Sequence, residues 1–328
     1  MKKTSKHFLF LILILSFAAA LWGCTPKNMP YTKNLTAFDT LIQLTVYSEK
    51  DAACLEEAAE LCVMYDSLFS RTKEGSDVYR VNHANGAPVT VSEETIAVLE
   101  EALSYCEASG GLLDITIAPV KEQWDFSNPD FPPSALPDAE VLRSCASHVD
   151  YRNVLLDKEH LTVTLTDPEA QIDLGCIAKG YIADRLKDYM LENGVSSALI
   201  NLGGNVLAVG KKQNNDPFTI GIKDPADTTK LISQVRISDS SVVTSGTYER
   251  YFIFEGERYH HILDPATGYP AKTDLSSATI LSKTSAKGDA LSTLCILLGS
   301  DRAKEMLDQT KDIGYILVKT DGTVISNQ

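Results

Sequence analysis

Apolar positions along this chain switch between two periods. Ile42, Leu44 and Val46 alternate with Gln43, Thr45 and Tyr47, which predicts a half-buried strand. Ala52–Phe69 carries its apolar residues at helical spacing and predicts an amphipathic helix, whereas Ser70–Asn82, polar and holding Gly75, predicts a loop. Ser92 has the place of an N-cap for a helix that runs to Tyr105 and is stopped by Ser109-Gly110-Gly111. Leu112–Pro119 reads as an extended segment with Asp114 and Thr116 as its polar members. Between Lys121 and Asp150, four prolines and little periodicity predict a surface insertion or lid. Leu161–Thr166 alternates apolar and hydroxyl residues, and Ile177, Tyr181, Ile182 and Leu186 recur at helical spacing. Gln171–Asp184 is thus a tight turn between strand and helix, with Asp173 and Lys179 at the joint.

Past Asn193-Gly194 the pattern shortens to strands: Ala198–Leu202, Val206–Val209, Phe218–Ile222, Leu231–Ile237 and Tyr251–Phe254. Glu255-Gly256-Glu257 then turns the chain into Arg258–Leu263, a hairpin signal. Helices grouped with hairpin-connected strands predict an α+β fold of antiparallel or mixed sheets with packed helices, not a regular βαβ alternation.

The N-terminus stands apart from this pattern. Lys2, Lys3 and Lys6 precede the apolar run Phe8–Leu21, which is short for a spanning helix and has the layout of a secretory signal. The run ends in Leu21-Trp22-Gly23-Cys24, similar to a bacterial lipobox. Residues 1–23 are therefore expected to be a signal peptide, Cys24 a lipidated N-terminus, 24–34 a tether containing Pro26 and Pro30, and 35–328 the folded domain. An ordinary signal peptide ending beside a cysteine is the alternative. Loss of three lysines and no acid moves the formal charge from −14 to −17. Such a surface repels phosphate backbones, which argues against nucleic acid as a partner. The six cysteines other than Cys24 form no CxxC pair and fall mostly in apolar helical patterns, so buried free thiols are expected rather than a zinc site or disulfides.

Three stretches carry candidate chemistry. At Asp173–Lys179, a glycine-containing turn that opens a helix offers free N–H groups and the positive end of the helix dipole to a phosphate, with Lys179 adding a charge. Alternatively, Gly175 only turns the chain and Lys179 is solvated. At His260–Pro270, a histidine ending a strand stands beside an Asp-Pro-x-Thr-Gly turn, as acid–base chemistry requires, unless His261 merely packs. At Ser285–Thr293, Leu291, Leu294 and Leu298 form a core stripe, while Asp289 and Thr293 lie one turn apart and are able to reach one hard cation such as magnesium. A first-turn acid favoured by the helix dipole is the plainer reading of Asp289.

Taken in order, Asp173-Leu-Gly-x-Ile-Ala-Lys-Gly-Tyr181, Asn201-Leu-Gly-Gly-Asn205, Thr244-Ser-Gly-Thr-Tyr-Glu-Arg250, His261-Ile-Leu-Asp-Pro-x-Thr-Gly268 and Gly288-Asp-Ala-Leu-Ser-Thr293 strongly resemble the ApbE family, the FAD:protein FMN transferases. The resemblance spans essentially the whole chain after Cys24 and implies a T-fold-like α+β architecture. It further implies a magnesium-dependent enzyme, lipid-anchored on the extracytoplasmic face of the cell membrane. Such an enzyme splits FAD, attaches FMN through its phosphate to a threonine or serine hydroxyl of a target protein, and releases AMP. The targets so implied are extracytoplasmic domains of membrane redox proteins or secreted flavoproteins.

Carried over by position, the resemblance assigns the metal to the carbonyl of Cys176 and to Asp289, Ser292 and Thr293. It assigns FAD contacts to Phe38, Thr40, Thr72, Gly111, Leu112, Leu113, Asp173, Lys179, His261 and Leu263; the charge that a phosphoryl transfer must neutralise then points to Asp289, with its magnesium, and Lys179 as catalytic residues beside His261. His261 is the first candidate to take the acceptor's proton, because an unperturbed imidazole titrates near 6.5, at about neutral pH; a metal-bound aspartate is the alternative. The chain departs from the family pattern at Phe38-Asp39 in place of Met-Gly, at Thr72 in place of an aromatic residue, at Cys176 in place of a small residue and at Gly288 in place of alanine. A magnesium-dependent FAD pyrophosphatase and a non-catalytic flavin-binding lipoprotein are the alternatives to the transferase.

Overall fold

The structure, a computed structural model, describes residues 30–124, 126 and 135–328; the expected signal peptide and Cys24 lie outside the described residues. β1 (Tyr31–Ala37) and β2 (Thr40–Val46) form a hairpin whose two turn residues, Phe38 and Asp39, both have positive φ (54° and 55°). Such a turn suits the twist of the strands but strains a phenylalanine, and the Phe38 N–H is held by Asp66 Oδ1 at 3.1 Å. β1 takes in Tyr31–Asn34, so the tether reading of 24–34 is corrected there. Ile42, Leu44 and Val46 are fully buried and Gln43 is exposed, as the alternation requires.

The first helical layer follows. α1 (Cys54–Phe69) matches its expectation within two residues. The supposed loop after it contains α2 (Asp77–Asn82), because the Ser76 hydroxyl accepts the Tyr79 N–H and caps a short helix. After β3 (Val89–Thr90) comes α3 (Glu93–Ala108), capped by Ser92 as predicted and extending one turn beyond Tyr105. The extended reading of Leu112–Pro119 is corrected: Leu112–Thr116 bends and turns, with Asp114 Oδ1 accepting the Thr116 N–H at 2.8 Å, only Ile117 bridges to Gln171, and Ala118 and Pro119 open α4 (Ala118–Trp124), where the missing proline N–H costs nothing in a first turn. α5 (Ala139–Ala146) is capped by Asp138. The insertion or lid reading of Lys121–Asp150 is corrected for its described residues, since Trp124 and Leu142 are buried with Val120, Phe252 and Leu263 in one apolar cluster; residues 125 and 127–134 lie outside the described residues.

β4 (Val154–Asp157) and β5 (Thr162–Leu165) complete a small sheet with β3, and α6 (Ala178–Glu192) leads into β6 (Ser197–Leu202) and β7 (Asn205–Gly210). Two hairpins flank the next strand: β8 (Phe218–Lys223) with β9 (Leu231–Ile237), then β10 (Ser241–Gly246), then β11 (Tyr251–Phe254) with β12 (Glu257–His260). β12 ends earlier than the expected Leu263, which instead bridges to Pro270. The chain closes through β13 (Leu275–Ser282), α7 (Ser285–Leu298), α8 (Ser300–Gln309), β14 (Gly314–Lys319) and β15 (Val324–Ser326).

The main sheet runs β1-β2-β6-β7-β10-β13-β14-β15, with every pairing antiparallel. α1, α3 and α6 pack on its β1–β7 half in the largest core, and α7 and α8 cover β13 and β14. The β8–β9 hairpin closes the opposite face through Phe218, Ile222, Val235 and Ile237. α6 and α7 touch backbone to backbone: a Cβ on Gly180 would stand 2.6 Å from the Ala286 Cα. Likewise a Cβ on Gly288 would stand 2.8 Å from Val243 Cγ2, so glycine at this position fits a close approach of α7 to β10. Both contacts bring the first and third chemical stretches, which open α6 and α7, to one place.

Candidate active site

The site begins where the chain turns into α6. Asp173 Oδ1 accepts the Gly175 N–H at 2.8 Å, which fixes the turn, and Asp173 Oδ2 is met by Lys121 Nζ at 2.7 Å and Arg71 Nε at 3.0 Å. Burial alone would push this carboxyl up, but the Lys121 ammonium, the Arg71 guanidinium and the Gly175 N–H hold it down at about 2. Asp173 therefore gathers two cations beside the turn, and Arg71 also pairs with Glu122 at 2.9 Å. Sequence reasoning missed Arg71 and Lys121. Lys121 lies about fifty residues from each of the other two and Arg71 about a hundred from Asp173, and only the fold brings them together.

Across the joint, Asp289 is 2 % exposed on α7 and its Oδ2 accepts the Gly180 N–H of α6 at 2.9 Å. Lys179 Nζ lies 3.4 Å from Asp289 Oδ1 and 3.3 Å from the Gly175 carbonyl oxygen. Desolvation works to lower the Lys179 pKa, but Asp289 and Glu249 outweigh it and raise it, so the ammonium is retained at neutral pH. One turn on, Thr293 Oγ1 is 3.2 Å from Ser245 Oγ, a β10 residue. Ser292 is fully buried and turns its hydroxyl to the Asp289 carbonyl (3.0 Å) and to Ser245 (2.8 Å). Cys176 sits in the turn with its side chain between two cores, and burial raises its thiol well above its ordinary value. All six described cysteines are free thiols; Cys62, Cys106 and Cys295 are buried as expected, whereas Cys54, Cys145 and Cys176 are only partly so.

The donors here are hard oxygens: one carboxylate, a threonine hydroxyl and turn carbonyls. Among the described residues no group of three or more His, Cys, Asp and Glu side chains could hold a metal. A cation at Asp289 would thus rest on a single carboxylate, with the rest of its shell left to neutral oxygens, water and phosphate. That set fits magnesium, which keeps waters and binds substrate phosphates, and does not suit zinc.

His261 borders the same region. Its backbone N–H and its Nδ1 both point to the Arg250 carbonyl, at 3.1 and 3.3 Å. A carbonyl only accepts, so the neutral ring carries its proton on Nδ1 and leaves the Nε2 lone pair free of it. Burial first, then Lys121 and Arg250, push its pKa down to about 3, which corrects the near-neutral ring expected from the sequence. His260 is a packing residue, buried with Nε2 at 3.1 Å from the Ala271 carbonyl oxygen. Glu249 is a further member that sequence reasoning passed over, although its stretch was noted. Desolvation by the surrounding protein pushes its carboxyl up, against the pull of Lys179, Lys223 and Arg250.

The remaining expected contacts are spread around this centre. Leu113 is buried and Leu112 half-buried in the core shared with Ile262 and Leu291, and Gly111 has a positive φ of 82° beside the Tyr151 ring. Leu263 is buried in the aromatic cluster around Trp124. Phe38 packs on the largest core, Thr40 lies against Gly203, and exposed Thr72 sits 3.3 Å from the Ser70 hydroxyl. Among the described residues no hydrogen bond or ion pair joins Phe38, Thr40 or Thr72 to the Lys179–Asp289 cluster. Lys179, Asp289, Ser292 and Thr293 form one cluster and Asp173 an adjoining one through the turn.

The description "ApbE family" matches residues 38–317 of this chain. The chain is 38% identical over 300 residues to a FAD:protein FMN transferase of Klebsiella pneumoniae, covering 91% of this chain and 92% of that one. It is 35% identical to one of Treponema pallidum, covering 92% and 88%. The crystal structure of the ApbE protein from Thermotoga maritima superposes with a TM-score of 0.84 at 33% identity, covering 92% of this chain and 97% of that one.

Proposed function

The chain belongs to the ApbE family and acts as a FAD:protein FMN transferase, and we propose that it does so by magnesium-assisted transfer of the FMN phosphoryl group to a threonine or serine hydroxyl. The observation that carries this reading is the joint of α6 and α7, where Lys179 and the Gly180 N–H meet Asp289 within hydrogen-bonding reach. In the reaction, the acceptor oxygen bonds to the FMN phosphorus, the bond from that phosphorus to the bridging oxygen breaks, and AMP leaves with that oxygen. Such a transfer needs placement and charge neutralisation more than covalent help from the protein.

A magnesium ion bound at Asp289, Thr293 and the Cys176 carbonyl would neutralise charge on the phosphates. Lys179 and the turn at Gly175 supply further positive potential at the pyrophosphate, and Asp173 keeps Lys121 and Arg71 beside it. His261, neutral and with its proton on Nδ1, offers Nε2 to the acceptor hydroxyl and orients it. With its pKa near 3 it is a weak base at rest, so proton removal falls to Asp289 or to a base brought by the bound substrate.

Lipid anchoring at Cys24 and an extracytoplasmic acceptor belong to the same proposal and are supported by the sequence pattern alone. Cys24→Ser is expected to move the protein from the membrane to the soluble fraction; a variant that still pelleted with membranes would overturn the anchor. For the reaction, purified protein is incubated with FAD, magnesium and an acceptor fragment, which is then weighed. The acceptor should gain the mass of FMN less one water, with AMP in equal amount. Free FMN and AMP without a labelled acceptor would mark a pyrophosphatase instead.

A further inference from the structure

Asp184 lies one turn beyond Gly180 on α6, is 9 % exposed, and has no part in the site as described so far. Both its oxygens are used: Oδ1 accepts the Ser285 N–H at 2.8 Å and Oδ2 the Ala286 N–H at 2.9 Å. These are the first two N–H groups of α7, which no carbonyl of their own helix reaches. Thr284, the residue before them, makes no side-chain cap. The start of α7 is thus capped from another helix.

One turn back along α6 the exchange is reversed, because the Gly180 N–H of α6 donates to Asp289 Oδ2 of α7. Two carboxylates, one on each helix, hold the backbone of the other helix, and the absent Cβ of Gly180 lets the two backbones meet between them. We propose that Asp184 is a positioning residue for the transfer site: it pins the first turn of α7 to α6 and so sets where Asp289 and Thr293 stand relative to Lys179 and the phosphate turn. The proposal rests on the reading of Asp289 as the carboxylate that binds the cation.

The setting of Asp184 supports a directional role over a stabilising one. Burial pushes its carboxyl up to about 6 despite the two N–H bonds, with Glu101 of α3 pushing the same way and Arg185 opposing; Tyr105 of α3 also faces it. A folded-state pKa above the unfolded value means that this group's contribution to stability is lost as pH rises through about 4 to about 6. At neutral pH its charge costs stability while its two bonds fix a geometry.

Asp184→Asn tests this at nearly constant size, because an amide presents its NH₂ to one of the two backbone N–H groups, donor against donor. Binding of Mn²⁺ is measured by the loss of the free-ion EPR signal in wild type, Asp184→Asn and Asp289→Ala, with FAD affinity measured separately without metal and thermal melts run in parallel. Asp184→Asn should weaken Mn²⁺ binding by about 10-fold to 100-fold, the range for a residue that orients a ligand, with FAD affinity held, a cooperative melt retained, and turnover recovered at high metal concentration. Should Asp184→Asn not fold, Asp184→Ser, whose hydroxyl accepts one of the bonds, takes its place.

Unchanged Mn²⁺ affinity in Asp184→Asn, with binding abolished in Asp289→Ala, would overturn the positioning role and leave the metal site standing. Parallel losses of Mn²⁺ affinity, FAD affinity and melting temperature would mark a merely structural residue and overturn it as well. Wild-type Mn²⁺ binding by Asp289→Ala would remove the cation from this joint and both readings with it.

Discussion

The two sides of the site are built differently. The α6–α7 side draws on two short contiguous stretches, Asp173–Gly180 and Ser285–Thr293, held by backbone contact at Gly180 and by carboxylates that accept N–H groups across the joint. The facing side draws on Arg71, Lys121, Arg250 and His261, single residues on four separate segments, backed by the aromatic cluster of Trp124, Phe252, Tyr259 and Tyr269. The first side places charge through fixed backbone, and the second through long side chains. The chemistry of transfer should therefore fail most sharply when the first is altered, and more gradually when the second is.

The largest expected effect tests the first side. Asp289→Ala should lower turnover by about 10³-fold, the scale of losing a group that stabilises charge in the transition state, while circular dichroism stays close to wild type and stability falls only by about 1–3 kcal/mol, the scale of leaving the buried Gly180 N–H without its acceptor. Turnover within a few fold of wild type at ordinary magnesium would place the cation elsewhere. On the facing side, Lys121→Ala should raise the KM for FAD and lower turnover by less than Asp289→Ala does, because Arg71 still pairs with Asp173. Equal losses from the two variants would erase the contrast between the sides.

Trp124→Ala sharpens the comparison from the packing side. The indole is buried, its Nε1–H donates to the Gly268 carbonyl at 2.7 Å, and its removal should cost about 3–5 kcal/mol of stability, as for other buried aromatic residues. Chemical denaturation measures that cost, and Mn²⁺ affinity of the folded fraction should be unchanged.

The smallest effect concerns His261. Its folded-state pKa, near 3, lies below its unfolded value of about 6.5, so the unfolded chain binds the extra proton first and stability falls as pH drops through that window. His261→Gln should remove part of this acid sensitivity in denaturation curves taken between pH 7 and pH 4. An NMR titration showing the His261 ring protonating near pH 6.5 would contradict the buried, neutral ring.

The same contrast decides what could be read before the fold was known. Ser92 as a cap, the alternation of Ile42, Leu44 and Val46, and the turn into α6 are local signals, set by a hydroxyl, a period and a glycine, and each stands in the structure. Asp289 and Thr293 were legible for the same reason, since helical spacing alone puts them on one face. Arg71, Lys121 and Asp184 were not, because each owes its place to a partner far along the chain, and no spacing announces that. Trp124 and Leu142 were hidden by the prolines around them, which break periodicity without exposing every residue. The ring of His261 looked ordinary because a pKa belongs to a surrounding and not to a residue type.

The claim that transfer takes place at the α6–α7 joint is tested most directly by a crystal of the protein grown with FAD and Mn²⁺, with data collected at the manganese edge. The account predicts an anomalous peak about 2 Å from the Asp289 carboxylate, close to the distance at which magnesium holds its oxygen ligands. The FAD pyrophosphate should lie between that peak and Lys179, above the turn at Gly175. A peak held by Glu249 or Asp173 instead, or a pyrophosphate bound away from Lys179, would contradict it.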